Sequence, residues 1–156
     1  MSTAVDPPFL VRDLSTDAEI AAAYPLMAEL RPQLPSGEAF VGLVRRQQQD
    51  RYVLVGGFAG ERLVALAGIR SSHTLSRGPH LFVDDLVTAA AARGRGYGTA
   101  MLRALGRRAE EMGLPILCLD SRDTALTFYK QVGFEPHSSV PCKIAVGDLL
   151  RASITG

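Results

Sequence analysis

Hydrophobic and polar positions change period several times along the chain, and each change marks an element. Phe9–Leu14 opens with an apolar run that predicts a first strand. Ser15 or Thr16 then stands where a helix cap is expected, with Asp17 and Glu19 in the first turn. Ile20, Tyr24, Met27 and Leu30 follow at helical spacing, and the helix stops near Pro32. Ser36 and Glu38 open a second helix through Phe40, Val41, Val44 and Gln48. The period then shortens. Tyr52–Phe58 and Arg62–Ile69 are separated by Ala59-Gly60-Glu61 and read as a hairpin. Leu81–Val87 is a further strand, and a glycine-rich stretch, Arg93–Gly98, leads from it into a helix. That helix carries Leu102, Leu105, Ala109 and Met112 on one face and ends at Gly113 and Pro115. Pro115–Leu119 reads as a buried strand, Asp123–Val132 as a helix, and a last strand is expected within 134–146. Antiparallel strands followed by a βαβαβ half predict one mixed sheet covered by helices.

The 156 residues fit one domain, with residues 1–8 as a flexible arm. No secretory signal and no long apolar run is visible, so the expected compartment is the cytoplasm, with no membrane partner. Cys118 and Cys142 read as reduced structural residues. His73, His80 and His137 show no metal-ligand spacing and read as scattered surface or loop positions; no metal is expected. Charge is nearly balanced, 17 Lys+Arg against 16 Asp+Glu, which argues against a nucleic-acid coat. The basic set is nonetheless 15 Arg and 2 Lys, and arginine is the better fork for phosphate.

Position matters more than the sum. The strand Leu81–Val87 runs into Arg93-Gly94-Arg95-Gly96-Tyr97-Gly98 and then a helix. A glycine turn before a helix leaves backbone N–H groups converging at the positive end of the helix dipole, where phosphate binds. The dinucleotide pattern would need glycine at Thr99, and no Gly-Lys pair exists for a P-loop. The pattern that fits is Arg93-x-x-Gly96-x-Gly98. Arg93, Arg95, Arg103, Arg107 and Arg108 follow one another with no acid between, which suits a ligand with several phosphates; for Arg103, Arg107 and Arg108 singly, an exposed basic face is the plainer reading.

Further on stands Arg122-Asp-Thr-Ala125-Leu-Thr-Phe128-Tyr129-Lys-Gln-Val-Gly133-Phe134. With both motifs in order, the chain resembles the GNAT superfamily of acyl-CoA-dependent N-acyltransferases. The resemblance is strong over residues 81–134, and Leu-Arg-Pro at 30–32 with Asp-Asp at 84–85 looks like one bacterial-type branch. It implies an α/β fold whose mixed, mostly antiparallel sheet has six to seven strands, with a splayed parallel pair. It also implies acetyl-CoA as co-substrate. The amides from Arg93 through Gly94, Arg95, Gly96, Tyr97 and Gly98 to Thr99 would hold the pyrophosphate. Leu86, Val87 and Thr88 would pair with the pantetheine arm. Tyr129 would be the general acid for the leaving thiolate, its ordinary pKa of about 10 lying near that of a thiol. Phe128 would pack in the core or beside the coenzyme. Many family members carry Asn where Arg122 stands, so the contact made by Arg122 is open.

Direct attack by an amine needs a proton acceptor. Asp84 and Asp85 are the candidates, as base or as amine-binding groups. Adjacent strand residues face opposite sides, so only one would face the amine unless a bulge turns both. Glu38, Glu61, His73 and His80 are runners-up. The expected activity is acetyl transfer to a primary amine on a small molecule or peptide. The acid-leaning first 50 residues, seven acids to four bases, favour a cationic acceptor. A homodimer is also open. Two other classes remain: a non-catalytic acyl-CoA-binding or regulatory module on the same fold, disfavoured by Tyr129, and a nucleotide-binding protein with an unrelated phosphate turn, disfavoured by the failed spacings.

Overall fold

A computed structural model describes residues 7–152 and divides into two units, Met1–Asp120 and Ser121–Gly156. The expected arm at 1–8 falls mostly on residues 1–6, outside the described residues. In the first unit the order is β1 (Phe9–Asp13), α1 (Asp17–Leu30), α2 (Gly37–Gln48), β2 (Tyr52–Ala59), β3 (Arg62–Thr74), β4 (Gly78–Thr88), α3 (Tyr97–Glu111) and β5 (Ile116–Leu119). The strands form one sheet in chain order, antiparallel from β1 to β4, with β5 parallel to β4.

Two apolar layers sandwich this sheet. One face carries Leu54, Leu66 and Val87 against Ile20, Ala23 and Met27 of α1 and Phe40 and Val44 of α2. The other carries Val55, Ala67, Ile69, Leu81 and Val83 against Met101, Leu105 and Ala109 of α3. Alternate residues of β2, β3 and β4 thus serve opposite layers, which is why these strands read as near-continuous apolar runs. α1 continues through Pro25, which lacks an N–H, because the buried residues on both sides of it hold the helix to the sheet.

The second unit holds a 3-10 turn (Asp123–Ala125), α4 (Leu126–Val132) and α5 (Val146–Arg151). Gly133, at φ 118°, ends α4, and the amides of Gly133 and Phe134 both donate to the Tyr129 carbonyl.

Three expectations are corrected. Among the described residues the sheet has five strands, not six or seven, and no strand lies within 134–146. Pro136 and Pro141 interrupt that stretch and cannot donate to a ladder, and residues 135–145 are exposed. β5 is a short edge strand with Ile116 exposed, rather than a buried one. His80 is buried in β4, where Nδ1 lies 2.9 Å from the Gly78 carbonyl, not on the surface.

The cap of α1 is a reciprocal pair. Thr16 Oγ1 accepts from the Glu19 amide, and the Glu19 carboxylate accepts from the Thr16 and Ser15 amides and from Arg12. These bonds, those to the backbone foremost, lower the Glu19 pKa from 4.5 to about 2. A depressed folded-state pKa contributes stability that is complete above the unfolded value and is lost as pH falls toward the folded one. Stability is therefore expected to fall between about pH 4.5 and about pH 2, and Glu19→Gln to flatten that part of a urea-denaturation pH series.

Candidate active site

The site grows from one extra residue in β4. Gly68 pairs with Asp85 and Ile69 with Val83, so Asp84 has no partner of its own on β3. Such a bulge breaks the alternation of a strand locally. Val83 and Leu86 serve the α3 layer and Val87 the α1–α2 layer. Between them Asp84 and Asp85 both turn toward the α1–α2 side and line one cleft of about 410 Å³ with Arg31, Gln47, Asp50 and Arg70.

Each aspartate is held by its own arginine. The Asp84 carboxylate accepts from Arg70 Nε at 2.5 Å and Nη2 at 2.7 Å. Asp85 Oδ1 accepts from Arg31 Nε at 3.0 Å, and its Oδ2 accepts from the Tyr52 hydroxyl at 2.8 Å. Arg31 Nη2 also donates to the Asp84 carbonyl at 3.0 Å, so the residue ending α1 grips the bulge backbone. Burial first, and then the Asp85 charge, push Tyr52 well above the ordinary phenol range, so it remains a donor. The bond to Asp84 raises the Arg70 pKa further and keeps that guanidinium charged.

Gly68 makes room for this network. A Cβ there would lie 1.9 Å from the Tyr52 hydroxyl oxygen, so the phenol crosses the sheet where a side chain is missing. The two carboxylates differ in access. The Asp84 side chain is 24% exposed and that of Asp85 14%. The Asp85 carboxylate is tied to Arg31 and to Tyr52, whereas the Asp84 carboxylate meets only the half-buried Arg70. Asp50, at the rim, has no ion pair among the described residues.

Immediately before the bulge, β4 parts from β5. Their pairing runs from His80↔Ile116 to Val83↔Leu119 and ends there. Leu86, Val87 and Thr88 therefore continue β4 without β5 beside them, paired on the other edge with Ala67, Leu66 and Ala65. The chain then makes a 3-10 turn at Ala90–Ala92 and enters the glycine turn.

Gly94 and Gly96 sit at φ 80° and 82°, a left-handed conformation that favours glycine, and a Cβ at either would meet nothing within 4 Å. Gly96 is the N-cap of α3 and supplies no side-chain cap, and no acid stands in the first turn. The amides of Tyr97, Gly98 and Thr99 thus open an uncapped helix end beside exposed Arg93 and Arg95, which fits a phosphate group. Arg93 Nε lies 3.4 Å from the Thr88 carbonyl, and the Tyr97 ring stacks on Phe9 at 5.4 Å. Arg108 is not an uncompensated cation: Asp13 of β1 takes both its nitrogens, at 2.5 and 3.1 Å.

In the second unit Arg122 is exposed and precedes the 3-10 turn, its carbonyl accepting from Ser121 Oγ and the Ala125 amide. Tyr129 packs between Phe128, at 5.1 Å, and Phe134, at 5.6 Å. Burial raises its pKa, which keeps the phenol protonated. Among the described residues no group of His, Cys, Asp and Glu is arranged to hold a metal ion. Burial, the larger effect, also raises the Cys118 pKa, so that thiol is no ready nucleophile.

These features meet independent matches. The model of the Acetyltransferase (GNAT) family matches residues 18–134. The chain belongs to the GNAT acetyltransferase family. It is 32% identical over 128 residues to an uncharacterized N-acetyltransferase, YhdJ, of Bacillus subtilis, covering 80% of this chain and 90% of that one. Among solved structures the fold is similar to aminoglycoside N-acetyltransferase AAC(6')-Iy in complex with CoA, with TM-score 0.78, 16% identity and coverage of 94% and 99%. It is also similar to a predicted acetyltransferase with acetyl-CoA from Clostridium acetobutylicum, with TM-score 0.69, 16% identity and coverage of 90% and 98%. No helix among the described residues is long and apolar enough to cross a membrane.

Arg31, Tyr52, Gly68, Arg70, Gln47 and Asp50 were not legible as site residues. Arg31 stood out only in Leu-Arg-Pro, and Tyr52, Gly68 and Arg70 become neighbours only once the β2–β3–β4 register is known. Tyr52→Phe is expected to cost about 1.5–3 kcal/mol, the range for a hydrogen bond to a charged group, and Gly68→Ala about 1–3 kcal/mol from overpacking. Both act on the same contact, so urea denaturation of the double variant is expected to give less than their sum.

Proposed function

We propose that this protein is an N-acetyltransferase that moves an acetyl group from acetyl-CoA to a primary amine held in the Asp84–Asp85 cleft. The observation that carries this reading is the bulge, which turns two carboxylates into one cleft where β4 parts from β5. The glycine turn supports it with an uncapped helix end suited to the coenzyme pyrophosphate, and Leu86–Thr88 offer a strand edge to the pantetheine arm. Two relatives of the same fold hold CoA or acetyl-CoA.

In this mechanism the acceptor ammonium first gives a proton to Asp84, directly or through water. Asp84 is assigned this role over Asp85 because its carboxylate is the more exposed and is bound by one side chain, Arg70, where that of Asp85 is bound by two. Asp85 holds the bulge in place. The amine nitrogen then attacks the thioester carbonyl; a C–N bond forms and the C–S bond breaks. The leaving thiolate takes the Tyr129 proton, and Tyr129 is reprotonated as the nitrogen loses its second proton. One proton is released per turnover. The acceptor is a small molecule or peptide bearing an amine, and Asp50 favours a cationic one.

Coenzyme A release with a panel of amines tests the reading. Tyr129→Phe is expected to lower kcat about 100-fold with acetyl-CoA binding retained by calorimetry. Asp84→Asn is expected to lower kcat/KM by a similar factor near neutrality, the deficit shrinking toward about pH 9 as solvent deprotonates the amine. Absence of acetyl-CoA binding sinks the whole proposal, as does ATP displacing acetyl-CoA from the protein. Full turnover by Tyr129→Phe sinks only the acid assignment.

A further inference from the structure

A second concavity lies away from the cleft, between the outer edge of β1 and the flank of α3. It has a volume of about 990 Å³ and is lined by all five residues of β1 and by one flank of α3, including Ala100, Arg103, Ala104 and Arg107. Among the described residues β1 is an edge strand, paired only with β2. The Leu14 amide donates to Leu54, and the Pro8 carbonyl accepts from Gly60. Even-numbered residues therefore bond toward β2. By antiparallel alternation the N–H and C=O groups of Phe9, Val11 and Asp13 aim away from the sheet.

α3 runs alongside this edge in the same direction. Tyr97 stacks on Phe9 at one end and Arg108 binds Asp13 at the other. The eleven residue steps of helix from Tyr97 to Arg108 rise about 16 Å, and the four of strand from Phe9 to Asp13 about 13 Å. Ala100 and Ala104 leave the space between the two open, and Leu10 is exposed at its edge. Arg12 and Arg108 are already paired, with Glu19 and Asp13. Arg103 and Arg107 are exposed and have no ion-pair partner among the described residues. They stand one helical turn apart, about 6 Å. Alternate side chains of an extended peptide repeat at about 6.6 Å.

We infer that this groove takes an extended acidic peptide segment, which adds to the β1 edge as a further strand and places alternate carboxylates against Arg103 and Arg107. Main-chain bonds to Phe9, Val11 and Asp13 would supply affinity, and the two arginines the choice of sequence. Glu111 at the end of the groove excludes a further acid there and limits the length of the acidic run.

Fluorescence anisotropy with the full chain and a labelled octapeptide of alternating Glu and Thr tests this. Binding is expected to weaken about tenfold in the exposed double variant Arg103→Gln/Arg107→Gln, and with rising salt. It is expected to vanish for the Lys-Thr octapeptide. N-methylation of alternate peptide nitrogens on one edge of the probe is expected to abolish binding with charge unchanged. Four outcomes overturn the inference: no binding of the acidic octapeptide, equal binding by the double variant, binding indifferent to N-methylation, or displacement of the probe by a single-stranded oligonucleotide of matched charge. A dimer in size-exclusion chromatography that dissociates on adding the peptide would make a second copy the native occupant and also overturn it.

Discussion

One extra residue in a strand decides how this protein is organised. A β-strand presents neighbours to opposite faces, and two adjacent acids in a regular β4 would have been divided between the α1–α2 layer and the α3 layer. The second of them would then have faced an apolar layer with no cation to meet it. The bulge at Asp84 removes that conflict and bends the strand where β5 is left behind. Its geometry is enforced from outside the strand. Arg31 holds the carbonyl, Arg70 and Arg31 hold the carboxylates, and Tyr52 crosses the space above Gly68 to complete the set.

The nearly balanced charges are matched in pairs across the chain. Asp13, Asp17, Glu19, Asp84 and Asp85 each meet an arginine, and apart from the Arg12–Glu19 contact these partners are far apart in sequence. Arginine suits this work because its fork reaches two acceptors at once, as Arg70 does with Asp84 and Arg108 with Asp13. Lysine would hold a single oxygen and leave the other to find water. The glycine turn lies outside this neutralisation, since Arg93 and Arg95 have no ion-pair partner among the described residues.

Local chemistry made much of this legible. The caps at Thr16 and Ser36, the hairpin around Gly60, the glycine turn and the stop at Gly133 are all written in residues a few positions apart. The bulge was foreseen only as a condition, because register depends on which strands meet. For the same reason Arg31, Tyr52 and Arg70 were silent: each gains its role from a residue 54, 33 or 14 positions away. The missing last strand had a local sign in Pro136 and Pro141, outweighed by the expectation that the family sheet would continue. His80 was misplaced because a lone histidine carries no signature of burial.

The shortness of β5 turns the sheet into a ruler. From the last paired residue, Val83, β4 runs on to Thr88 opposite four residue steps of β3, Ile69 to Ala65, about 13 Å of strand. On the proposed reading, an arm laid along that edge would have its reacting end set by Leu119 and its far end by the turn that begins after Thr88. Each further residue pair between β4 and β5 would erase about 3.3 Å of that span from the acid end. The reach demanded of a ligand is therefore encoded less in the strand it lies against than in the neighbour that stops early.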